Sequence, residues 1–277
     1  VTPEKSVAFY DSGIGGLPYL DGFLDRVSPD SPTNVSYFAD FAFFPYGEKS
    51  VPIVRERILS MISFLIHTEN PDLIVLACNT ASVVALDALR HRYPTRPFVG
   101  VVPAVKPAAA ATRSGRLLVL STSRTAHDPY TDGLVNRFAP HLTVDRLGMP
   151  GLVEIVEGSF CHPERTDRIR NAIRSDLLPK MHPDTDVVVL ACTHFLHAKK
   201  ILQDELPPSV TVIDSLDGVV GQTLRLAGLP GNPTGAAVGR GGRAAQSGEK
   251  PRFWFTGPFL DFRSCLKSGF DVREVHS

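Results

Sequence analysis

The sequence predicts an α/β protein made of two similar, pseudo-symmetric halves, each a mostly parallel sheet flanked by helices. Three observations carry this expectation. Short apolar, often β-branched runs recur on consecutive rather than alternating positions, as in strands covered on both faces. Stretches with helical spacing lie between them, and strand alternating with helix is the pattern of a parallel sheet. One strand and its flanks occur twice: Asp72-Leu-Ile-Val-Leu-Ala-Cys78 matches Asp186-Val-Val-Val-Leu-Ala-Cys192 position by position.

Taken in order, Ser6–Tyr10 is the first expected strand, ending on Asp11 and a Gly-rich turn. Val35–Phe38 follows and closes on Asp40. Val51–Glu69 reads as an amphipathic helix. Leu73–Ala77 is a strand running into Cys78, with a helix over Ala81–His91 behind it, and Phe98–Val102 is a strand running into Pro103. Leu117–Leu120 runs into Ser121 and Thr122, a looser match to Val7–Ser12. Helices are expected over Thr131–Phe138 and Pro163–Met181. Val187–Ala191 runs into Cys192, Ala198–Glu205 is a helix, and Val210–Ile213 a strand ending on Asp214. Gly228–Pro251 is rich in Gly, Pro, Arg and Ser without periodicity, and reads as a surface segment. Arg252–Thr256 and Asp261–Ser268 read as a last strand and a last helix.

Composition narrows the function classes. A chain of 277 residues has room for two cores at about 150 residues per domain. Its 29 basic and 29 acidic residues cancel, and the pI is near 7.2, so no nucleic-acid partner is expected. A small acidic substrate remains compatible, because a site can be locally positive in a neutral protein. Four Cys cannot form a disulfide scaffold of this length, and the expectation is a reduced, cytoplasmic chain with a few specific thiols. No apolar run approaches the roughly 18 residues of a membrane span, and Val1–Ser6 has no basic start, so no signal peptide is expected.

Cys78 and Cys192 are the sharpest chemical signal. Each ends a buried strand and precedes a polar pair, Asn79-Thr80 or Thr193-His194. Ligands of open α/β sheets bind beyond the carboxyl ends of strands, and a helix starting there would favour thiolate over thiol. A lone thiol at such a place is more often inert, but the same thiol in both repeats reverses those odds. Compartment argues against a Cys78–Cys192 disulfide, and the absence of any C-x-x-C or H-x-x-x-H spacing argues against a zinc site. Cys161 and Cys265 lie outside any strand-end motif. The turn Asp11-Ser12-Gly13-Ile14-Gly15-Gly16 lets backbone approach an anion but is no dinucleotide fingerprint; Asp11 reads either as a helix cap or as a partner of a nearby thiol. His194 can relay a proton beside Cys192, whereas Glu157 alone reads as a solvated helix carboxylate. Two thiols acting from two sides suit removal and return of a proton at one carbon. The charge that develops needs preorganised donors, for which Ser12, Asn79, Thr80 and Thr193 are suitable.

At these residues the chain resembles the glutamate racemases of the cofactor-independent aspartate/glutamate racemase superfamily. The matching segments are Asp11–Gly16, Tyr37-Phe-Ala-Asp40, Phe44-Pro-Tyr-Gly-Glu-Lys-Ser50, Ala77-Cys-Asn-Thr-Ala-Ser82, Gly100–Pro107, Ala191-Cys-Thr-His-Phe195 and Arg252-Phe-Trp-Phe-Thr-Gly257. They span nearly the whole chain in family order. The resemblance implies two α/β domains, residues 1–103 with 214–277 and residues 104–213, with the active site at their interface. It implies Cys78 and Cys192 as the two bases, Asp11 assisting Cys78, His194 assisting Cys192, and Glu157 as a site glutamate in preference to Glu154. Asp11, Ser12, Tyr46, Gly47, Asn79, Thr80, Thr122, Thr125, Thr193 and His194 would bind substrate. It further implies interconversion of L- and D-glutamate without cofactor or metal, supply of D-glutamate to peptidoglycan, and a homodimer in the cytoplasm. Departures are Phe195-Leu196-His197 where the family has Tyr-Pro-Leu, Met149-Pro150 in place of Cys-Pro, and the longer segment at 228–251. The alternatives kept are an aspartate racemase or related two-Cys isomerase, and a non-catalytic partner-binding protein on the same scaffold. A thiol-redox protein lacks its C-x-x-C.

Overall fold

The computed structural model describes residues 4–28, 30–232, 250–257, 262–266 and 269–275. Along the chain these form β1 (Lys5–Asp11), α1 (Leu17–Arg26), β2 (Thr33–Ala39), α2 (Val51–Glu69), β3 (Leu73–Leu76), α3 (Asn79–Arg92) and β4 (Phe98–Gly100). Then come α4 (Val105–Ala111), β5 (Arg116–Ser121), α5 (Ser123–Ala126), α6 (Pro129–Phe138), β6 (Thr143–Gly148), α7 (Pro150–Ser159) and α8 (Thr166–Ala172). The remainder is β7 (Val187–Ala191), α9 (His194–His197), α10 (Lys199–Glu205), β8 (Thr211–Ile213), α11 (Leu216–Ala227), β9 (Arg252–Phe255), α12 (Arg263–Leu266) and β10 (Asp271–Glu274).

Two compact units result: Val1–Tyr46, Ser50–Val101 and Leu216–Ser277 form one, Gly47–Lys49 and Val102–Ser215 the other. Their sheets run β10-β9-β2-β1-β3-β4 and β6-β5-β7-β8, and every pairing is parallel. The order β2-β1-β3-β4 of the first sheet is the order β6-β5-β7-β8 of the second, so the halves share one topology, and the repeated segments occupy equivalent strands, β3 and β7. Val7–Tyr10, Leu73–Leu76 and Val187–Ala191 are at most 1 % exposed. Burial on both faces removes any reason for polar alternation, hence the unbroken apolar runs.

The repeated aspartate is a structural device. Asp72 accepts the Ser6 amide at 2.8 Å, and Asp186 accepts the Arg113 and Ser114 amides and the Thr112 hydroxyl at 2.6, 2.8 and 2.5 Å. In each unit the carboxylate fastens the chain at the start of the neighbouring strand. Partial burial raises the Asp186 pKa, but the Thr112 hydroxyl and backbone donors outweigh it and hold the group at about 2. Its stabilisation is therefore present above the unfolded carboxylate value near 4 and is lost as pH falls through about 2. Asp186→Asn is expected to destabilise the fold by about 1–2 kcal/mol at pH 7, a difference that urea titrations should see shrink between pH 4 and pH 2.

Several elements differ from the sequence expectation. The helix expected over Pro163–Met181 is broken into a 3₁₀ turn at Pro163–Arg165, α8, a π turn at Ile173–Leu177 and a 3₁₀ turn at Leu178–Lys180. Pro179 has no amide to donate to the preceding turn. The edge strands β6 and β10 were not expected; both are partly exposed and charged, so neither has an apolar run. Helices α4 and α11 were also missed; a helix after the Gly-rich turn and one carrying Glu157 were expected without ranges, and α1 and α7 supply them. The helix at Val51–Glu69 ends where expected because Asn70 takes the left-handed conformation, φ 44°. Most of Gly228–Pro251, and part of the helix expected over Asp261–Ser268, lie outside the described residues.

Candidate active site

In a sheet ordered β2-β1-β3-β4 the connections leave β1 in opposite directions, and the crevice beyond the β1 and β3 carboxyl ends is the switch point where ligands bind. Asp11 ends β1 and Cys78 follows β3. The turn between β1 and α1 is pinned from β2: the Tyr37 hydroxyl donates to the Gly13 carbonyl at 2.8 Å and accepts the Gly16 amide at 3.1 Å. A Cβ on Gly16 would stand 2.6 Å from the Ala77 Cβ and 2.8 Å from its carbonyl oxygen. Only glycine lets the turn rest on the end of β3, one residue before Cys78. Gly16→Ala should cost about 1–3 kcal/mol of stability by overpacking, read as a lower urea midpoint at unchanged slope.

Asp11 is fully buried and accepts the Ser12 amide at 2.5 Å, with the Ser12 hydroxyl at 3.3 Å. The helix-cap alternative does not hold, since the N-cap of α1 is Gly16. Cys78 is a free thiol, 6 % exposed. It is the extended N-cap residue of α3 and its side chain makes no capping bond there. Its backbone is fixed by Ser82, whose hydroxyl lies 2.9 Å from the Cys78 carbonyl and accepts the Val101 amide at 2.9 Å. Asn79 and Thr80 are both 3 % exposed. Asn79 Nδ2 donates to the Val101 carbonyl at 3.4 Å, and Oδ1 is buried without a hydrogen-bond partner among the described residues.

The second unit repeats the geometry at the β5/β7 switch point. Thr122 follows β5, caps α5 by accepting the Thr125 amide at 3.2 Å, and lies 3.2 Å from the Thr125 hydroxyl. Cys192, a free thiol 4 % exposed, follows β7, with Thr193 buried beside it. His194 Nδ1 is 4.0 Å from the Cys192 sulfur, and His194 Nε2 is 2.6 Å from Glu157 Oε2 on α7. Glu157 is buried, whereas Glu154 is exposed. Burial works against a charged imidazole, but the bonds to Cys192 and Glu157 and their negative charge outweigh it, raising the His194 pKa well above its ordinary value.

The thiols differ in what supports them. Cys78 heads the fourteen-residue α3, whose N-terminal amides carry a partial positive charge. Cys192 precedes only the four-residue α9, which breaks at Ala198. The expected helix N-terminus is thus slight there, and the protonated His194 stands in its place. Gly47 belongs to the second unit, where a Cβ would come 2.8 Å from the Thr122 Cβ, and the Lys49 carbonyl accepts from Arg124 at 2.9 Å. Tyr46, in the first unit, is 1 % exposed and its hydroxyl donates to Asp40 at 2.6 Å, so what it can offer a ligand is backbone. Sequence reasoning missed Tyr37 and Ser82 as supports; the only signal was their place in the matching segments. The free thiols among the described residues are Cys78 and Cys192.

Two matching α/β units, each with a free thiol at its switch point, define the class. The Asp/Glu/Hydantoin racemase family matches residues 30–223. The chain is 39% identical over 248 residues to a glutamate racemase of Pseudomonas paraeruginosa, covering 90% of this chain and 87% of that protein. Escherichia coli glutamate racemase, solved in complex with L-glutamate and the activator UDP-MurNAc-Ala, is 31% identical with a TM-score of 0.80 over 98% of each chain. Glutamate racemase of Bacillus anthracis gives 26% and 0.80, over 98% of this chain and 97% of that one. The chain belongs to the Asp/Glu/Hydantoin racemase family. It is an enzyme, an amino-acid racemase.

Proposed function

We propose that the enzyme interconverts L- and D-glutamate by two-base proton transfer at Cα, with Cys78 and Cys192 as the bases and no cofactor. The observation that carries the reading is the duplicated thiol: a free, nearly buried Cys at the same switch point of each sheet. The reaction requires both sulfurs to reach one Cα from opposite faces. One, as thiolate, removes the Cα proton; the other, as thiol, returns a proton to the opposite face. The sulfurs have then exchanged protonation states, and the reverse reaction starts from that state.

The α-proton is weakly acidic, so negative charge developing on the carboxylate must meet fixed donors. Ser12, Thr80, Thr122, Thr125, Thr193 and the Gly47 backbone supply that chemistry. Asn79 Oδ1, buried and without a hydrogen-bond partner among the described residues, suits the substrate ammonium. Asp11 assists at Cys78, while Glu157 holds His194 protonated and oriented to assist at Cys192. The resemblance extends the reading to a cytoplasmic homodimer that supplies D-glutamate for peptidoglycan. Among the described residues no helix is long and apolar enough to cross a membrane. A chiral assay with L-glutamate, D-glutamate and both aspartate enantiomers tests the substrate. The expected result is turnover of both glutamates at closely matched kcat/KM; preference for aspartate would overturn it.

A further inference from the structure

Behind the first switch point lies a buried charged network that the proton-transfer scheme does not use. Asp40, just past the end of β2, is fully buried. Its carboxylate accepts Arg57 Nε at 2.9 Å and Nη2 at 2.7 Å, the Tyr46 hydroxyl at 2.6 Å and the Thr256 hydroxyl at 2.5 Å. The Tyr46 hydroxyl in turn meets that of Tyr10, and both rings share a core with Cys78. The Arg57 guanidinium also lies 4.9 Å over the Phe43 ring. Arg57, on α2, thus holds the 40–46 segment at Asp40, at Phe43 and, through Asp40, at Tyr46. A buried carboxylate without its cation is costly, and a bidentate fork fixes geometry that a point charge does not.

We propose that Arg57 is a positioning residue for substrate binding: through Asp40 it sets the Tyr46 ring, and with it the Tyr46 backbone that the substrate meets. This rests on the assignment of Tyr46 to substrate binding. Burial, then the neighbouring Tyr10 and the Asp40 charge and hydrogen bond, raise the Tyr46 pKa well above its ordinary value and keep the phenol donating. Arg57 touches neither thiol in this scheme, so its loss should act on binding of both enantiomers rather than on proton transfer.

The test is steady-state kinetics of Arg57→Met and Arg57→Lys, alone and in a Tyr46→Phe background, with peptide-resolved hydrogen exchange. Arg57→Met should raise KM for both glutamates about tenfold with kcat within about twofold, and Arg57→Lys should recover part of it. With Tyr46→Phe already present, either substitution should add less than about twofold. Exchange in residues 41–50 should quicken while α3 stays protected. Unchanged KM in either folded variant, an undiminished KM effect in the Tyr46→Phe background, or uniformly faster exchange would overturn the proposal. If Arg57→Met fails to fold, Arg57→Lys alone carries the test. If the wild-type protein does not turn over glutamate, the substrate assignment falls separately, and exchange at 41–50 still decides whether Arg57 positions this segment.

Discussion

Cys78→Ser and Cys192→Ser should each abolish racemisation in both directions, lowering kcat by about 10³-fold or more, while leaving the fold intact. General acid–base groups contribute about 10²–10⁴-fold, and a serine hydroxyl is a far weaker base than a thiolate at neutral pH. In the proposed reaction every turnover uses both sulfurs, one as base and one as acid. Neither enantiomer can therefore escape the loss of either thiol. A non-catalytic protein on this scaffold would tolerate both changes in its binding. Sulfur to oxygen is a small change at residues that are 6 % and 4 % exposed, so circular dichroism and a urea midpoint near wild type should accompany the loss. Chiral chromatography of products from each enantiomer checks it.

His194→Asn should lower kcat by about 10²-fold, and its effect should be lopsided. The equilibrium constant between enantiomers is one, so kcat/KM must stay equal in the two directions whatever is mutated. The asymmetry must appear elsewhere. Weakening Cys192 makes its own proton transfer more rate-limiting, so the α-deuterium isotope effect should rise for the enantiomer it deprotonates and not for the other. Glu157→Gln should act the same way more mildly, by releasing the His194 pKa towards its ordinary value. Because that pKa is raised in the folded enzyme, the His194–Glu157 pair stabilises fully below the unfolded value near 6.5 and loses this as pH rises through the folded value. Stability of Glu157→Gln relative to wild type should accordingly be worst on the acid side of that window. Equal isotope effects for both enantiomers in His194→Asn would remove His194 from the vicinity of Cys192 chemistry.

Buried elements were legible because nothing competes with the hydrophobic signal inside them. β7 runs over Val187–Ala191 as expected, and β1, β3 and β5 differ by a residue or so at their ends. β6 and β10 face solvent at sheet edges, where charged residues erase that signal. The broken segment 163–180 was misread because helical apolar spacing persists through a π turn, while Pro179 acts on the backbone. In the candidate site, the two cysteines stood out by repetition and His194 by adjacency. The role of Glu157 was not visible, because its partner lies on another element. The buried Asp40–Arg57 pair joins a strand end to a helix far along the chain, and no local spacing reveals such a meeting.

Two-sulfur proton transfer at the glutamate Cα is tested by proton NMR of L- and D-glutamate incubated separately with enzyme in deuterated buffer. The expected result is loss of the α-hydrogen signal coupled to appearance of the opposite enantiomer carrying deuterium, from either substrate, and absent in both single Cys→Ser variants. Racemisation that persists in a folded Cys78→Ser or Cys192→Ser protein, or retention of the α-hydrogen in inverted product, would contradict it.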